Sequence, residues 1–175
     1  PPNGNDSHPY FAKEEFESKL GELCSKQDKV MVWLNDPAHN PTGLSMSPIG
    51  RSVCLESFVE SALNHPKVGH TLLIDSAYSL YADETHAWAD TILESLEDGM
   101  MWPENLLVTV AVSLSKSHTI YGLRTGALVS MHPEKEVTDR LDTVLCVTAR
   151  QTWSATPRVS QYCVSEMHSS EEGGN

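Results

Sequence analysis

Residues 106–116 read LLVTVAVSLSK, an apolar run that ends abruptly in serine and lysine. The run is short, continuous and rich in β-branched residues, which is typical of a strand buried on both faces of an α/β sheet. Three further segments share this pattern: Val30–Leu34, Thr71–Ile74 and Gly126–Val129. The sequence therefore predicts four strands of one sheet.

Helical periodicity occupies the segments between these strands. Ser47 and Pro48 predict the start of one helix, since they offer a capping hydroxyl followed by proline at the first helical position. We expect every apolar stripe to pack in the core. The stripes are Phe16, Leu20, Leu23 and Cys24; Leu55, Phe58, Val59, Ala62 and Leu63; Trp88, Ile92, Leu93 and Leu96; and Val137, Leu141, Val144 and Leu145. Strands alternating with helices predict an open, mostly parallel α/β sheet, with ligands at the carboxyl ends of its strands.

Composition excludes several classes of function. The 175 residues carry a net charge of −12 and show no basic patch, so we expect no nucleic-acid partner. No apolar run approaches the ~20 residues of a membrane-spanning helix, and residues 1–4 do not resemble a signal peptide. The cysteines, Cys24, Cys54, Cys146 and Cys163, lack zinc or redox spacing. We therefore expect reduced thiols, no metal and a cytoplasmic protein.

Three polar motifs each follow one of the apolar runs. They read NDPAHNPTG at residues 35–43, DSAY at residues 75–78 and SLSK at residues 113–116, and YGLRTG follows the last at residues 121–126. Each motif alone has an ordinary interpretation as a turn, a helix cap, a surface lysine or half of an ion pair. Their order along one chain is far more specific.

Together these motifs resemble the fold-type I aminotransferases that use pyridoxal 5′-phosphate (PLP), and HNPTG and DSAY are similar to the aspartate and aromatic aminotransferases in particular. The resemblance runs from about Val30 to Ser130. It implies an incomplete three-layer α/β/α fold with a mostly parallel sheet, in which Gly126–Val129 runs antiparallel. Residues 1–168 would be part of the PLP-binding large domain. We expect residues 169–175 to form a disordered tail, because they show no periodicity.

The resemblance also assigns roles around the cofactor, an electron sink for which the protein supplies attachment, orientation and electrostatics. Lys116 would form the Schiff base and then shuttle a proton, with its pKa lowered by burial near cations. Asp75 would face the pyridine nitrogen, while Asn40 and Tyr78 would bind the 3′-oxygen. Lys116, Asp75 and Tyr78 are thus the predicted catalytic residues.

The phosphate of PLP would bind to Ser113, Ser115 and Arg124 in this resemblance. An arginine fork suits the role because it bonds two phosphate oxygens at once. His39 stands beside Asn40 in the sequence, and we interpret it as structural or as a supporting neighbour of the site.

The implied activity is transfer of an amino group from an amino acid to a 2-oxo acid, by a homodimer in its intact form. A fold-type I PLP lyase, decarboxylase or synthase would use the same scaffold, and a non-catalytic module derived from it could keep the same motifs. Intact family members are more than twice this length, so we expect weak PLP binding and little turnover from this chain alone. Gly122, two residues before Arg124, occurs in more distant groups and leaves the subgroup and substrate open.

Overall fold

The structure, a computed structural model, describes residues 11–169 except for the His168 side chain. One sheet contains four strands in the order β1-β2-β3-β4. They are β1 (Lys29–Asn35), β2 (Gly69–Asp75), β3 (Leu106–Ser113) and β4 (Gly126–Met131). Strands β1, β2 and β3 are parallel, and β4 pairs antiparallel with β3. The predicted strands, their directions and the α/β fold are confirmed.

Six helices accompany the sheet within the described residues. They are α1 (Lys13–Cys24), α2 (Pro48–Asn64), α3 (Ala87–Glu97), α4 (Leu114–Ser117), α5 (Lys135–Thr152) and α6 (Arg158–Ser169). Helix α2 begins as predicted, because the Ser47 hydroxyl accepts a hydrogen bond from the Gly50 amide at 3.0 Å. Between residues 11 and 169, the helices are too short or too polar to cross a membrane. Residues 170–175 of the predicted tail lie outside the described residues.

The hydrophobic core lies between one face of the sheet and helices α1, α2 and α3. Alternate strand residues such as Val30, Leu72 and Val108 are buried there. Helix α2 contributes Leu55 and Phe58, neither of which is exposed. Because burying one large apolar side chain contributes about 1.5–3 kcal/mol, this layer holds the helices to the sheet. It also fixes the positions at which the strands end.

The opposite face of the sheet exposes apolar side chains in the part of the chain that the structure describes. Met31 and Trp33 of β1 and Leu128 of β4 are exposed there, with Trp33 at 65 %. The helices of the buried core therefore cover one face of the sheet. The mixed sheet with helices agrees with the predicted α/β fold, and the exposed apolar side chains show that the second face is only partly covered within residues 11–169.

Core packing was predicted for every apolar stripe, and this is wrong for the stripe of α5. Val144 and Leu145 are exposed, and no residue of α5 is buried. The other stripes are narrower than predicted, since one or two members of each are exposed: Leu23, Leu63, Leu93 and Leu96. Apolar periodicity identifies an amphipathic helix, but it does not say what covers the apolar face.

Gly126 opens β4 at a point where the backbone of β3 comes very close. A Cβ atom at this position would lie 2.5 Å from the Val112 carbonyl oxygen. We expect Gly126→Ala to lower the free energy of unfolding by about 1–3 kcal/mol in urea titrations, because the strand pair must shift. Gly122→Ala is the matched control, since a Cβ there meets nothing within 4 Å. Equal losses in the two variants would contradict this account.

Candidate active site

The three motifs that follow the parallel strands meet at one edge of the sheet. Asn35 ends β1 and is paired in register with Asp75, which ends β2. Asp75 is in turn paired with Ala111 of β3, two residues before Ser113. Carboxyl ends of parallel strands form the usual ligand edge of an α/β sheet. The pairing of the strands therefore brings the predicted residues to the same end of the sheet.

Asn35 connects the first two motifs through hydrogen bonds. The sequence analysis did not identify it as a site residue. Its side-chain amide donates to the Asp75 carbonyl at 3.1 Å, and its Oδ1 accepts from the Asn40 amide at 2.7 Å. The Asn40 side chain then donates to the Tyr78 hydroxyl at 3.3 Å. The two residues predicted to share one cofactor oxygen are thus in direct contact. The available signal was the position of Asn35 as the last residue of a strand.

The turn after β2 presents the Asp75 carboxylate. One of its oxygens accepts a hydrogen bond from the Ala77 amide at 3.2 Å. The Ser76 hydroxyl donates to the Ala111 carbonyl of the neighbouring strand at 2.9 Å, which ties this turn to β3. Asp75 is therefore held at the strand end by the two residues that follow it, Ser76 and Ala77.

Lys116 lies in the short helix α4, directly after β3. Its carbonyl accepts a hydrogen bond from the Tyr81 hydroxyl at 2.6 Å, which fixes the backbone from a neighbouring loop. Its Nζ lies 4.1 Å from the centre of the Tyr121 ring and 5.9 Å from that of Tyr78. The amine therefore sits between two aromatic rings, and Tyr78 connects it with Asn40.

The expectation of a lowered pKa at Lys116 is wrong in this structure. The pKa of Lys116 is raised, chiefly because its ammonium donates a hydrogen bond to Tyr121. Burial opposes this shift, while the electrostatic influence of Tyr121 and Tyr78 adds to it. Sequence reasoning missed Tyr121 as a site residue, although it begins the motif that contains Arg124.

Replacing Tyr121 with phenylalanine is expected to lower the pKa of Lys116, because the hydrogen bond to Tyr121 is the largest cause of its raised value. The free amine would then appear at a lower pH. The pH dependence of acylation at Lys116, followed by peptide mapping, measures this directly. Tyr162→Phe, at an exposed position of α6, is the control. Unchanged profiles in both variants would show that the phenol does not hold the proton.

The three residues that were predicted to bind phosphate, Ser113, Ser115 and Arg124, lie close together. Nη1 of Arg124 donates to the Ser115 hydroxyl at 3.4 Å and to the Tyr121 carbonyl at 3.1 Å. The Ser115 amide donates to the Ser113 hydroxyl at 3.4 Å. Arg124 itself adopts a left-handed backbone conformation, with φ at 51°. The Arg124 guanidinium therefore points back toward α4. There it forms one cluster with the hydroxyls of Ser113 and Ser115.

A buried ionic network supports the loop that carries Asn40, and no sequence pattern indicated this network. Asp36 accepts hydrogen bonds from the Met46 amide at 2.7 Å and from the Trp88 indole at 2.8 Å. The Arg51 guanidinium lies 3.6 Å from the same carboxylate and also contacts Glu84. Burial raises the pKa of Asp36, and its hydrogen bonds with Met46 and Trp88 and the charge of Arg51 oppose that rise.

His39 makes its hydrogen bonds within the turn that carries Asn40. Its Nδ1 lies 2.8 Å from the Thr42 hydroxyl, and its backbone amide donates to the Leu44 carbonyl at 2.8 Å. These contacts close the turn that contains Asn40.

A mixed α/β sheet with a carboxylate at the end of β2, a lysine after β3 and an arginine clustered with two serines is the arrangement that the sequence resemblance implies for a PLP-dependent fold. The sequence profile of the family described as aminotransferase class I and II matches residues 9–174. The chain belongs to this family.

Individual relatives agree with the family assignment. An aromatic-amino-acid aminotransferase of Paracoccus denitrificans is 30 % identical over 154 residues, which cover 85 % of this chain and 35 % of that protein. A solved aminotransferase of Anaerococcus prevotii is 30 % identical with a TM-score of 0.79, over 90 % of this chain and 37 % of that one.

One solved relative contains the cofactor. An aromatic-amino-acid aminotransferase of Burkholderia pseudomallei, covalently bound to pyridoxal phosphate, is 26 % identical with a TM-score of 0.58. The match covers 86 % of this chain and 35 % of that one. The chain thus spans about a third of the length of the relatives it matches.

Proposed function

We propose that this chain carries the cofactor-binding edge of a PLP-dependent aminotransferase, which transfers an amino group from an amino acid to a 2-oxo acid. The observation that carries the proposal is the joint placement of Asp75, Lys116 and Arg124 at one edge of the sheet. Family membership supports the reaction type. The substrates, a homodimeric assembly and a cytoplasmic location are parts of the same proposal.

The donor set at this edge fits the chemical groups of PLP. Arg124 with the hydroxyls of Ser113 and Ser115 offers positive charge and polar groups to a phosphate, the usual recognition chemistry for that group. Asn40 and Tyr78 contact each other, so both can reach one oxygen of the ring. When bound, PLP supplies an electron sink, and the protein supplies attachment and orientation.

Lys116 would move protons in this proposal. Its raised pKa means that Nζ is an ammonium at neutral pH, held by the phenol of Tyr121. The amine must release that proton before it can attach covalently. Tyr78 and Tyr121 flank Nζ and are placed to influence this release. Asp75, held by the Ala77 amide, would orient a positively charged ring nitrogen.

A PLP-dependent lyase, decarboxylase or synthase would use the same edge. The relatives described above are named as aminotransferases, which favours amino-group transfer over those reactions. A non-catalytic module is less consistent with an edge that retains a lysine, a carboxylate and an arginine together.

The proposed reaction is tested by a single-turnover measurement. The chain is loaded with PLP, mixed with excess aromatic or dicarboxylic amino acid, and the 2-oxo acid formed is measured per chain. We expect a yield that depends on Lys116, so that Lys116→Ala yields only what free PLP yields. Equal yields from both proteins would contradict the proposal. A measurement of yield remains decisive even where turnover is far below the ~10 s⁻¹ of a typical enzyme.

Arg124→Leu is expected to weaken PLP binding by about 10–100-fold, since a hydrogen bond to a charged group contributes about 1.5–3 kcal/mol. Pyridoxal, which lacks the phosphate, serves as the matched ligand and should bind both proteins equally. Absorbance titrations with each ligand measure the two affinities. Arg140→Leu, on the exposed side of α5, is the control variant. A parallel loss of pyridoxal affinity would assign Arg124 a structural role instead.

A further inference from the structure

A second cluster of reactive side chains lies at the opposite edge of the sheet. Cys24 ends α1, His65 follows α2 and His70 is the second residue of β2. The Cys24 sulfur and one ring nitrogen from each histidine lie within 4.8 Å of one another. Five residues separate His70 from Asp75, or roughly 17 Å along an extended strand. This cluster is therefore separate from the candidate active site.

We propose that Cys24, His65 and His70 form a binding site for Zn²⁺. Zinc prefers one thiolate and imidazole nitrogens in such a set, and tetrahedral bonds of about 2.0–2.3 Å place neighbouring ligand atoms about 3.3–3.6 Å apart. The Cys24 sulfur lies 3.4 Å from Nε2 of His70, which already matches that spacing. Only His65, which is half-buried at the end of α2, must move by about 1 Å to complete the triad.

Hydrogen bonds prepare the histidines for this role. Nδ1 of His70 lies 2.9 Å from the Val68 carbonyl, and Nδ1 of His65 lies 2.9 Å from the Ser61 carbonyl. A carbonyl only accepts, so Nδ1 of each ring carries the proton and Nε2 keeps its lone pair. Metal-bound histidines commonly donate their other N–H to a backbone carbonyl in this way.

Ser61 supplies a further polar group. Its hydroxyl lies 3.1 Å from Nε2 of His70 and 3.7 Å from the Cys24 sulfur. It is placed either to hydrogen-bond the thiolate or to occupy the fourth position of the metal, which a water molecule can also take.

Asn105 holds the turn between α2 and β2, which connects His65 with His70. The Nδ2 atom of its side-chain amide lies within hydrogen-bonding distance, 2.8–3.2 Å, of three carbonyls, those of Ala62, His65 and Val68. The residue before β3 therefore holds the backbone of this turn from the strand side. Binding of the metal would release the Cys24 thiol proton and link α1, α2 and β2 through one ion.

The test uses the full chain without PLP, in a background where the exposed thiols are removed by Cys146→Ser and Cys163→Ser. Co²⁺ serves as the spectroscopic probe, because thiolate ligation gives a sulfur-to-metal charge-transfer band. We expect one Co²⁺ per chain, displaced by one Zn²⁺. Saturating Zn²⁺ should raise the midpoint of thermal unfolding by about 5–10 °C.

Two variants decide whether the predicted ligands hold the ion. His65→Ala changes a half-buried residue outside the core and should weaken Zn²⁺ binding by at least about 100-fold, since even the loss of an outer hydrogen-bond partner costs about 10–100-fold. Cys24→Ser should remove the charge-transfer band, while Cys54→Ala, at the other buried cysteine, should keep it. No band in the parent chain, or unchanged affinity in His65→Ala, would overturn the proposal. Because PLP is absent, neither outcome depends on the aminotransferase proposal.

Discussion

Asp36→Ala is expected to lower the free energy of unfolding by about 3–5 kcal/mol, the usual result when one partner of a buried ion pair is removed. Asp36 is 2 % exposed, and its two oxygens accept hydrogen bonds from Met46 and Trp88. In the variant both donors lose their acceptor. The buried Arg51 guanidinium also loses a carboxylate 3.6 Å away, and it keeps the half-exposed Glu84 carboxylate and the Met46 carbonyl, which accepts from Nη1 at 2.9 Å.

Urea unfolding of the variant and the parent chain measures this loss. Asp83→Ala is the matched control, because it removes an exposed carboxylate from the same part of the fold and should change stability by less than about 0.5 kcal/mol. Similar small losses in the two variants would show that the network contributes no more than a surface charge.

The pH dependence gives an independent check on Asp36. Its pKa in the folded chain is raised above the ordinary value of 3.8, mainly by burial. At a pH between the ordinary pKa and the raised pKa, the folded chain binds a proton at Asp36 that the unfolded chain does not. The contribution of this group to stability therefore increases as the pH falls through that window. The difference between the parent chain and Asp36→Ala should widen in mild acid, whereas a difference that vanishes would contradict the raised pKa.

The Asp36 network links stability to the candidate site. Asp36 follows Asn35 directly, and Asn35 holds both the Asp75 carbonyl and the Asn40 amide. The Met46 amide, bound to Asp36, lies just beyond the turn that contains Asn40. A variant that loosens Asp36 is therefore expected to disturb the position of Asn40 as well as the core.

The strands were predictable because burial leaves a direct trace in sequence. The run LLVTVAV at residues 106–112 has no polar interruption except threonine, and β3 extends it by one residue to Ser113. The convergence of the motifs was also predictable, since parallel strands bring their carboxyl ends to one edge. Topology alone therefore placed Asn40, Asp75 and Lys116 in the same region of the molecule.

The features of the site that could not be predicted from the sequence depend on side-chain orientation. The raised pKa of Lys116 results from where the rings of Tyr78 and Tyr121 lie, and spacing along the chain does not give that. Trp88 was interpreted only as part of an apolar stripe, although its indole N–H binds Asp36 across 52 residues of sequence. No pattern along the sequence identified Arg51 as a buried ionic residue, because its partners, Asp36 and Glu84, belong to other parts of the chain.

The cluster of Cys24, His65 and His70 illustrates the same limit. Metal-site motifs are recognised from ligands that lie close together in sequence. Cys24 and His70 are 46 positions apart, so no such motif is visible. Their approach depends on α1, α2 and β2 packing in one core, which no local motif encodes.

Covalent attachment of PLP is expected at Lys116, and its loss in Lys116→Ala should be complete. Of the seven lysines, Lys116 alone follows a strand at the carboxyl edge of the sheet. Lys29 opens β1 at the opposite edge, Lys67 precedes β2, and Lys135 begins α5, where it pairs with Asp139. An amine attached elsewhere would hold the ring far from Asp75.

Borohydride reduction of the PLP-treated chain, followed by peptide mapping, measures this attachment. In the parent chain we expect the label on the peptide that contains Lys116, at up to one equivalent. Lys67→Ala is the control and should keep this label, because Lys67 lies at the other end of the sheet. Lys116→Ala should lose the label and yet bind PLP weakly through Arg124, since the residues proposed to bind the phosphate, Arg124 with Ser113 and Ser115, do not include the lysine. Label on Lys13, Lys67 or Lys135 in place of Lys116 would show that the edge of the sheet is not where the cofactor attaches, and the proposed roles of Asp75 and Arg124 would then have to be abandoned together.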